Sequence, residues 1–119
     1  MKGLIMSLDQ EVDIDPSGKF KYVLIKLYFE DNTSKLLVRG YAWGEYHDDI
    51  YQRTLELAMK SGLDTECLGG GRISHDPEKK EIFVYGYSVG YGRADHTETV
   101  KLIQKKFPSY KVEWSNEGY

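Results

Sequence analysis

The segment YHDDIYQRTLELAMK, residues 46–60, decides how the rest of the chain is arranged, because it has the periodicity of an amphipathic helix. On a helical wheel, the apolar side chains and one histidine, His47, occupy one arc, and most charged side chains occupy the other. His47 lies in the first turn, beside Ile50 and Tyr51. We therefore expect the imidazole to face the interior at the positive end of the helix dipole, where neutral imidazole is favoured and anions bind.

Strand patterns lie on both sides of this helix. Residues 20–29 and 35–43 precede it, and residues 81–91 form the clearest strand, rich in aromatic and β-branched side chains. Residues 65–74 predict a strand that breaks into a loop at three consecutive glycines, and residues 110–114 predict a last strand.

A second helix is predicted over residues 97–107. Asp95 and Glu98 are spaced as a capping box at its start, and Pro108 ends it. The order of these elements predicts an α+β fold. We expect a single domain over residues 1–119, with one mixed β-sheet of about five to six strands and two main helices.

The composition argues against several classes of protein. The 119 residues include 16 basic and 19 acidic ones, and the net charge of -3 speaks against a nucleic-acid partner. Cys67 is the single cysteine, so an internal disulfide is excluded and a reducing compartment is expected. No stretch approaches the roughly 20 apolar residues of a membrane span. We expect a soluble cytoplasmic protein with no membrane partner.

Two basic residues are in phase with apolar neighbours on the predicted strands. Lys21 shares a strand face with Val23, and Arg39 shares one with Tyr41. A basic residue in such a place either points into a site or has a structural explanation. The structural explanation is an extended side chain at the strand start for Lys21, and stacking on Tyr41 or Trp43 for Arg39.

The three glycines at residues 69–71 permit positive φ angles and expose successive N–H groups, as anion-binding nests require. Arg72 follows them and is able to bind two oxygens of a phosphate. A tight turn is the simpler explanation of such a glycine run.

The segment Ser88-Val89-Gly90 closes the strand predicted over residues 81–91. Together with Gly86, it leaves one strand face nearly bare of side chains. Such a face indicates the close approach either of another backbone or of a ligand that binds exposed N–H groups.

Other residue types gave weaker signals. The run from Cys67 to Arg72 is one residue short of the Cys-x5-Arg loop of cysteine phosphatases, so we expect Cys67 to be a small buried residue.

His75 and His96 are expected to have structural roles. One cysteine and three scattered histidines give no metal-ligand cluster, so neither a metal nor another cofactor is expected. Asp48 lies on the polar arc of the helix and is expected to face outward.

The chain resembles the phosphohistidine phosphatase (janus/ocnus) family along nearly its whole length. The blocks that carry the resemblance occur in the same order and are specific to the family. They are Val12-Asp13-Ile14-Asp15, Phe20-Lys21-Tyr22-Val23-Leu24-Ile25, Val38-Arg39-Gly40-Tyr41, Glu45-Tyr46-His47, Glu66-Cys67-Leu68-Gly69-Gly70-Gly71-Arg72-Ile73-Ser74-His75, Val84-Tyr85-Gly86-Tyr87-Ser88 and Trp114-Ser115-Asn116-Glu117-Gly118-Tyr119.

This resemblance implies a small monomeric α+β enzyme that removes phosphate from histidine-phosphorylated proteins without a metal. The family's catalytic histidine matches His47, its substrate-binding lysine matches Lys21, and its glycine-loop arginine matches Arg72. Its phosphate-binding backbone segment matches Ser88-Val89-Gly90, where some members carry Ser-Met-Ala.

Several alternatives remain open at this point. His47 acts either as a base that activates water or as a nucleophile that attacks phosphorus directly. A non-catalytic phosphate- or phosphoprotein-binding module would keep Lys21 and Arg72 without needing an inward His47, so His47 favours the enzyme. A cysteine-based phosphatase would instead depend on Cys67. The roles of Arg39, His75 and His96 are left open.

Overall fold

One six-stranded mixed sheet carries the fold of this protein. The structure is a computed structural model, and it describes residues 8–117. The strands are β1 (Val12–Ile14), β2 (Gly18–Tyr28), β3 (Ser34–Tyr41), β4 (Asp64–Asp76), β5 (Glu81–Tyr85) and β6 (Lys111–Trp114). Two full helices lie within the described residues, α1 (His47–Lys60) and α2 (His96–Lys106). The predicted α+β class, with one mixed sheet and two main helices, is confirmed.

The strand order across the sheet is β1-β3-β2-β4-β5-β6. The long strand β2 pairs antiparallel with β3 and β4, whereas β1–β3 and β5–β6 are parallel pairs. Parallel neighbours need a long crossover connection, and α2 supplies it between β5 and β6. Helix α1 links β3 to β4, which lie on either side of β2, so it passes over the central strand.

The two helices cover opposite faces of the sheet. Strand β2 is buried on both faces because its alternate side chains contribute to two separate cores. One core contains Tyr22 and Leu24 of β2 and Ile103 of α2. The other contains Val23 of β2 and Ile50 of α1. The alternation thus places the odd-numbered residues of β2, which include Lys21, on the α1 side.

The ends of both helices agree closely with the sequence prediction. Helix α1 begins at His47, and Gly62 has a φ of 72° just past its C-terminus, as a C′ glycine does. Helix α2 begins one residue earlier than predicted, at His96, and Asp95 accepts a hydrogen bond from the N–H of Thr97 at 3.1 Å. Asp95 therefore caps α2 as predicted.

The strand predicted over residues 81–91 was too long, because β5 ends at Tyr85. Gly86 and Gly92 have φ values of 72° and 86°, and these left-handed conformations take the chain out of an extended strand. Ser88 and Gly92 then close a tight loop through two backbone hydrogen bonds of 3.0 and 2.7 Å. The bare strand face expected at Gly86, Ser88 and Gly90 is therefore absent, and these residues belong to a loop over residues 86–92.

The prediction of a loop at residues 69–71 was also wrong, because β4 runs through the three glycines. The N–H of Gly70 donates to the carbonyl of Gly92, so these glycines do not form an open anion-binding nest. Their role is close packing. A Cβ on Gly71 would lie 2.4 Å from the carbonyl oxygen of Tyr85, and one on Gly70 would lie 2.7 Å from Cδ2 of His47.

Strand β1 was not predicted, and Arg39 helps to hold it. The guanidinium of Arg39 is buried and donates to the carbonyl oxygens of Gln10 at 2.7 Å and Glu11 at 3.3 Å, just before β1. Tyr41 and Trp43, the stacking partners expected for Arg39, stack on each other with ring centroids 5.1 Å apart. Arg39 therefore ties the N-terminal segment to β3.

We predict that Gly71→Ala destabilises the protein by about 1–3 kcal/mol, the usual cost of overpacking, because the carbonyl of Tyr85 is backbone and cannot swing away. Urea denaturation measures the change in the free energy of unfolding. Gly90→Ala is the matched control, since a Cβ there has nothing within 4 Å. Equal stability of the two variants would show that β4 and β5 separate at little cost.

Candidate active site

A cavity of about 670 Å³ opens at the N-terminus of α1. Its walls come from Lys21 on β2, from residues 45–49 around the start of α1, and from residues 88–91 of the loop after β5. The fold thus brings together His47, Lys21 and the segment Ser88-Val89-Gly90. Arg72 is the one predicted site residue that does not line this cavity.

His47 is buried, as the helical wheel predicted, and its ring has a defined orientation. Nε2 of His47 lies 2.9 Å from the carbonyl oxygen of Gly71. A carbonyl oxygen only accepts, so Nε2 carries the proton in this hydrogen bond. The edge of the ring formed by Nε2 and Cδ2 faces Gly70 and Gly71 of β4. Nδ1 is on the other edge of the ring, away from β4, and carries the lone pair of the neutral imidazole. Because His47 lines the cavity, we infer that Nδ1 is the nitrogen that a bound group would meet.

The surroundings of His47 favour the neutral imidazole. Burial is the largest cause that lowers the pKa of His47 below its ordinary value of 6.5. The hydrogen bond to the Gly71 carbonyl acts in the opposite direction, because it favours the protonated ring. The positive charges of Lys21 and Arg72 lower the pKa further. The net direction is downward, so Nδ1 is an available base or nucleophile at neutral pH.

Lys21 and Arg72 are direct neighbours across the β2–β4 pair. Both therefore project from the α1 side of the sheet, but only Lys21 reaches the wall of the cavity. Lys21 thus lies at the wall of a cavity, as the functional explanation of its in-phase position requires. Arg72 is near enough for its positive charge to lower the pKa of His47, as the smallest of the four causes.

The loop over residues 86–92 presents two backbone donors to the cavity. The N–H of Ser88 already donates to the carbonyl of Gly92, and its Oγ accepts from the N–H of Tyr91 at 3.1 Å. By contrast, the N–H groups of Val89 and Gly90 have no hydrogen-bond partner within residues 8–117. The donors that an anion would find here are therefore those of Val89 and Gly90, together with the Ser88 hydroxyl.

Asp48 has a role that its outward position on the wheel did not suggest. It lines the cavity and accepts a hydrogen bond from the hydroxyl of Tyr91, and this bond links the start of α1 to the loop. The two residues are 43 positions apart in the sequence. Helical periodicity reports only on which face Asp48 lies, so it gave no signal of this contact.

The other two histidines are outside the walls of the cavity. Nδ1 of His96 accepts from the hydroxyl of Tyr22 at 2.6 Å, and its Nε2 donates to the carbonyl of Gly86 at 2.9 Å. His75 packs edge-on against the rings of Phe107 and Tyr110. These contacts agree with the structural roles expected for both residues.

Cys67 is half-buried, and burial raises the pKa of its thiol to about 11. A thiol of this kind stays protonated at neutral pH and is a poor nucleophile. Within residues 8–117, no three side chains of His, Cys, Asp or Glu are grouped so that they could hold a metal ion. In the same part of the chain, no helix is both long enough and apolar enough to cross a membrane.

The fold and the cavity together define a class of protein. It is a small α+β domain in which a buried histidine, a lysine and backbone N–H groups line one cavity. The sequence model of the Janus/Ocnus family matches residues 7–111. The chain belongs to this family.

Three relatives show how far the similarity extends. The 14 kDa phosphohistidine phosphatase of Sus scrofa is 50% identical over 115 residues, which cover 92% of this chain and 91% of the relative. The 14 kDa phosphohistidine phosphatase of Homo sapiens is 48% identical over 120 residues, or 96% of each chain. Sex-regulated protein janus-A of Drosophila pseudoobscura pseudoobscura is 53% identical over 113 residues, covering 91% of this chain and 76% of the relative. The family resemblance predicted from the sequence is confirmed.

We predict that the imidazole of His47 titrates below pH 6.5 and that Lys21→Ala moves this titration upward, because a positive charge beside the ring is removed. NMR of the histidine ring protons against pH measures both values. Lys26→Ala is the control, since Lys26 is on the opposite face of β2, over the ring of Tyr28. A titration midpoint of His47 at or above pH 6.5 in the wild-type protein would contradict its buried position beside two positive charges.

Proposed function

We propose that this chain is a protein histidine phosphatase that hydrolyses the P–N bond of phosphohistidine in proteins without a metal. The observation that carries the proposal is the position of His47, which lines one cavity with Lys21, Val89 and Gly90 and whose Nε2 is held by the carbonyl of Gly71, so that Nδ1 stays unprotonated in the neutral ring. Two relatives at about half identity, named phosphohistidine phosphatase, support the same substrate class.

The substrate's phosphoryl group is bound by positive charge and by hydrogen-bond donors. Lys21, the N–H groups of Val89 and Gly90 and the Ser88 hydroxyl bind its oxygens. The N-terminus of α1 adds the partial positive charge of the helix dipole. Phosphoryl transfer depends mainly on positioning and on charge stabilisation, and both are available here without a metal. Arg72 adds a second positive charge behind Lys21.

Nδ1 of His47 is the reacting atom in either of two routes. As a base, it takes a proton from a water molecule while the water oxygen bonds to phosphorus, the P–N bond breaks, and the imidazole of the substrate leaves with the electron pair. The proton on Nδ1 then passes to that leaving nitrogen. As a nucleophile, Nδ1 bonds to phosphorus while the P–N bond of the substrate breaks, and the imidazole of the substrate leaves with the electron pair and takes up a proton from water. A water molecule then attacks phosphorus, the new P–N bond to Nδ1 breaks, and phosphate and the neutral imidazole of His47 are released. Both routes begin from neutral imidazole.

The partners of the proposed enzyme are histidine-phosphorylated proteins. Residues 1–119 are inferred to form one phosphohistidine phosphatase-like domain that works as a monomer in the cytoplasm. The net charge of -3 and the single cysteine support this setting and argue against a nucleic-acid partner.

We predict that the wild-type protein releases phosphate from a histidine-phosphorylated protein in the presence of EDTA, and that His47→Ala lowers the rate by at least about a hundredfold. Colorimetric phosphate release measures the rate, and circular dichroism checks that the variant is folded. Cys67→Ser is the matched control and should keep the wild-type rate, because the thiol of Cys67 is protonated and half-buried.

Each of the other outcomes of this experiment would favour a different kind of protein or mechanism. Binding of the phosphoprotein without turnover would favour the non-catalytic phosphoprotein-binding module. Loss of activity in Cys67→Ser, with His47→Ala active, would favour a cysteine-based enzyme. Loss of activity in EDTA that is restored by a divalent metal would contradict metal independence.

We predict that Lys21→Ala lowers kcat/KM for a phosphohistidine peptide by about 10- to 100-fold, because a charge-assisted hydrogen bond to the phosphoryl group is worth about 1.5–3 kcal/mol. Steady-state kinetics with wild type and Lys26→Ala provide the comparison. Lys26 is on the same strand but on its opposite face, so its removal changes the net charge equally without touching the cavity. Equal effects of the two substitutions would mean that Lys21 acts only through the overall charge.

A further inference from the structure

Part of the sheet face that carries the site is left open by α1. Helix α1 packs on β2, β3 and β4, whereas α2 packs on β5 and β6 from the opposite side. Ile82 and Val84 of β5 belong to the core on the α2 side, so Phe83 and Tyr85 project toward the α1 side, beyond the helix. We call Ser74, Phe83 and Tyr85 the open face.

The two aromatic residues of the open face form a platform. Their rings are stacked, with centroids 5.3 Å apart and planes inclined by 20°. Phe83 keeps 39% of its surface exposed, and Tyr85 is half-buried. Among the described residues, no helix covers this pair from the α1 side. Exposed aromatic side chains on an open surface are typical of places where another polypeptide binds.

The open face lies on the same side of the sheet as the cavity at His47, two strands away from Lys21. Lys21 pairs with Arg72, and Arg72 pairs with Tyr85, so the three residues form one row across β2, β4 and β5. Ser74 and Phe83 pair in the next row. Tyr85 is therefore only two strands from the cavity wall at Lys21, within reach of a polypeptide that is bound at the cavity.

We propose that the open face binds the polypeptide segment next to the phosphohistidine of a substrate protein, with an apolar side chain of that segment on Phe83 and Tyr85. The inference rests on the proposed function and names the part of the substrate that this site recognises. Strands are spaced by about 4.8 Å, so Tyr85 lies about 10 Å from Lys21 along the row. An extended peptide advances about 3.3 Å per residue, and the apolar residue is therefore about three residues from the phosphohistidine.

The test compares peptides with the smallest substrate. The peptides carry one phosphohistidine in an alanine and glycine background, with a single leucine placed one to five residues away on either side. Free phosphohistidine serves as the substrate that cannot reach the open face. We expect kcat/KM to rise roughly tenfold when the leucine is about three residues away on one side, as an apolar contact allows. The value of kcat/KM for free phosphohistidine should not depend on Phe83.

Phe83→Thr is the variant that removes the platform while keeping a strand-forming residue on β5. It should abolish the gain from the leucine and leave the rate with free phosphohistidine unchanged. Trp114→Thr is the matched control. Trp114 is also exposed, at 43%, but it pairs with Val84 and so belongs to the other face of the sheet. It should retain the full gain.

The outcomes separate this inference from the proposed function. Two outcomes would overturn docking on the open face and leave the phosphatase proposal intact. In one, peptides are turned over at the same rate wherever the leucine stands. In the other, the gain from the leucine persists in Phe83→Thr. An equal loss with free phosphohistidine would assign Phe83 a purely structural role. Self-association of the wild type that Phe83→Thr abolishes would assign the face to a second copy of the chain. Absence of any turnover by the wild type would overturn both proposals.

Discussion

The hydrogen bond from His47 to the carbonyl of Gly71 is the interaction on which the site depends. It joins the first residue of α1 to the middle of β4, and it fixes both the tautomer and the direction of the imidazole. It requires α1 to approach the sheet more closely than ordinary side chains on β4 permit. Glycine at position 70 makes this approach possible, because a Cβ there would lie 2.7 Å from Cδ2 of His47. The glycine run is therefore part of the site, although it binds no anion itself.

The sequence predicted well the placement of those residues whose orientation depends on neighbours close to them in the chain. The alternation of β2 placed Lys21 on the same face as Val23, which the structure shows to be the α1 side, and the helical wheel placed His47 inward. The start of α2 followed from Asp95, although its side chain accepts from the N–H of Thr97 and the predicted capping box with Glu98 is not what caps the helix. In each case the preference arises from neighbours within one or two turns of helix or a few strand positions, so the sequence contains the whole signal.

The errors occurred where distant residues decide the local structure. A glycine run in a tight turn and one in a crowded strand look alike, because the atoms that crowd β4 come from Tyr85 and from His47, 24 residues away from Gly71. The bond between Asp48 and Tyr91 spans 43 residues and left no periodic trace. Strand β1 has only three residues and depends on pairing with β3. Long-range contacts thus override composition at these points.

The charges around His47 have two effects on the proposed reaction that support each other. In the free protein, burial and the positive charges of Lys21 and Arg72 lower the pKa of His47, so the imidazole is neutral and ready to accept a proton or to attack phosphorus. A phosphoryl group bound at Lys21 brings negative charge to the same place and offsets those positive charges. The pKa of His47 therefore rises once the substrate is bound, and Nδ1 becomes more basic when a proton has to be taken up. The cations thus keep the ring unprotonated before binding, and the bound phosphoryl group makes it a stronger base afterwards. Without these cations the pKa of the free ring would start closer to its ordinary value of 6.5, and a larger share of the imidazole would already be protonated before the substrate binds.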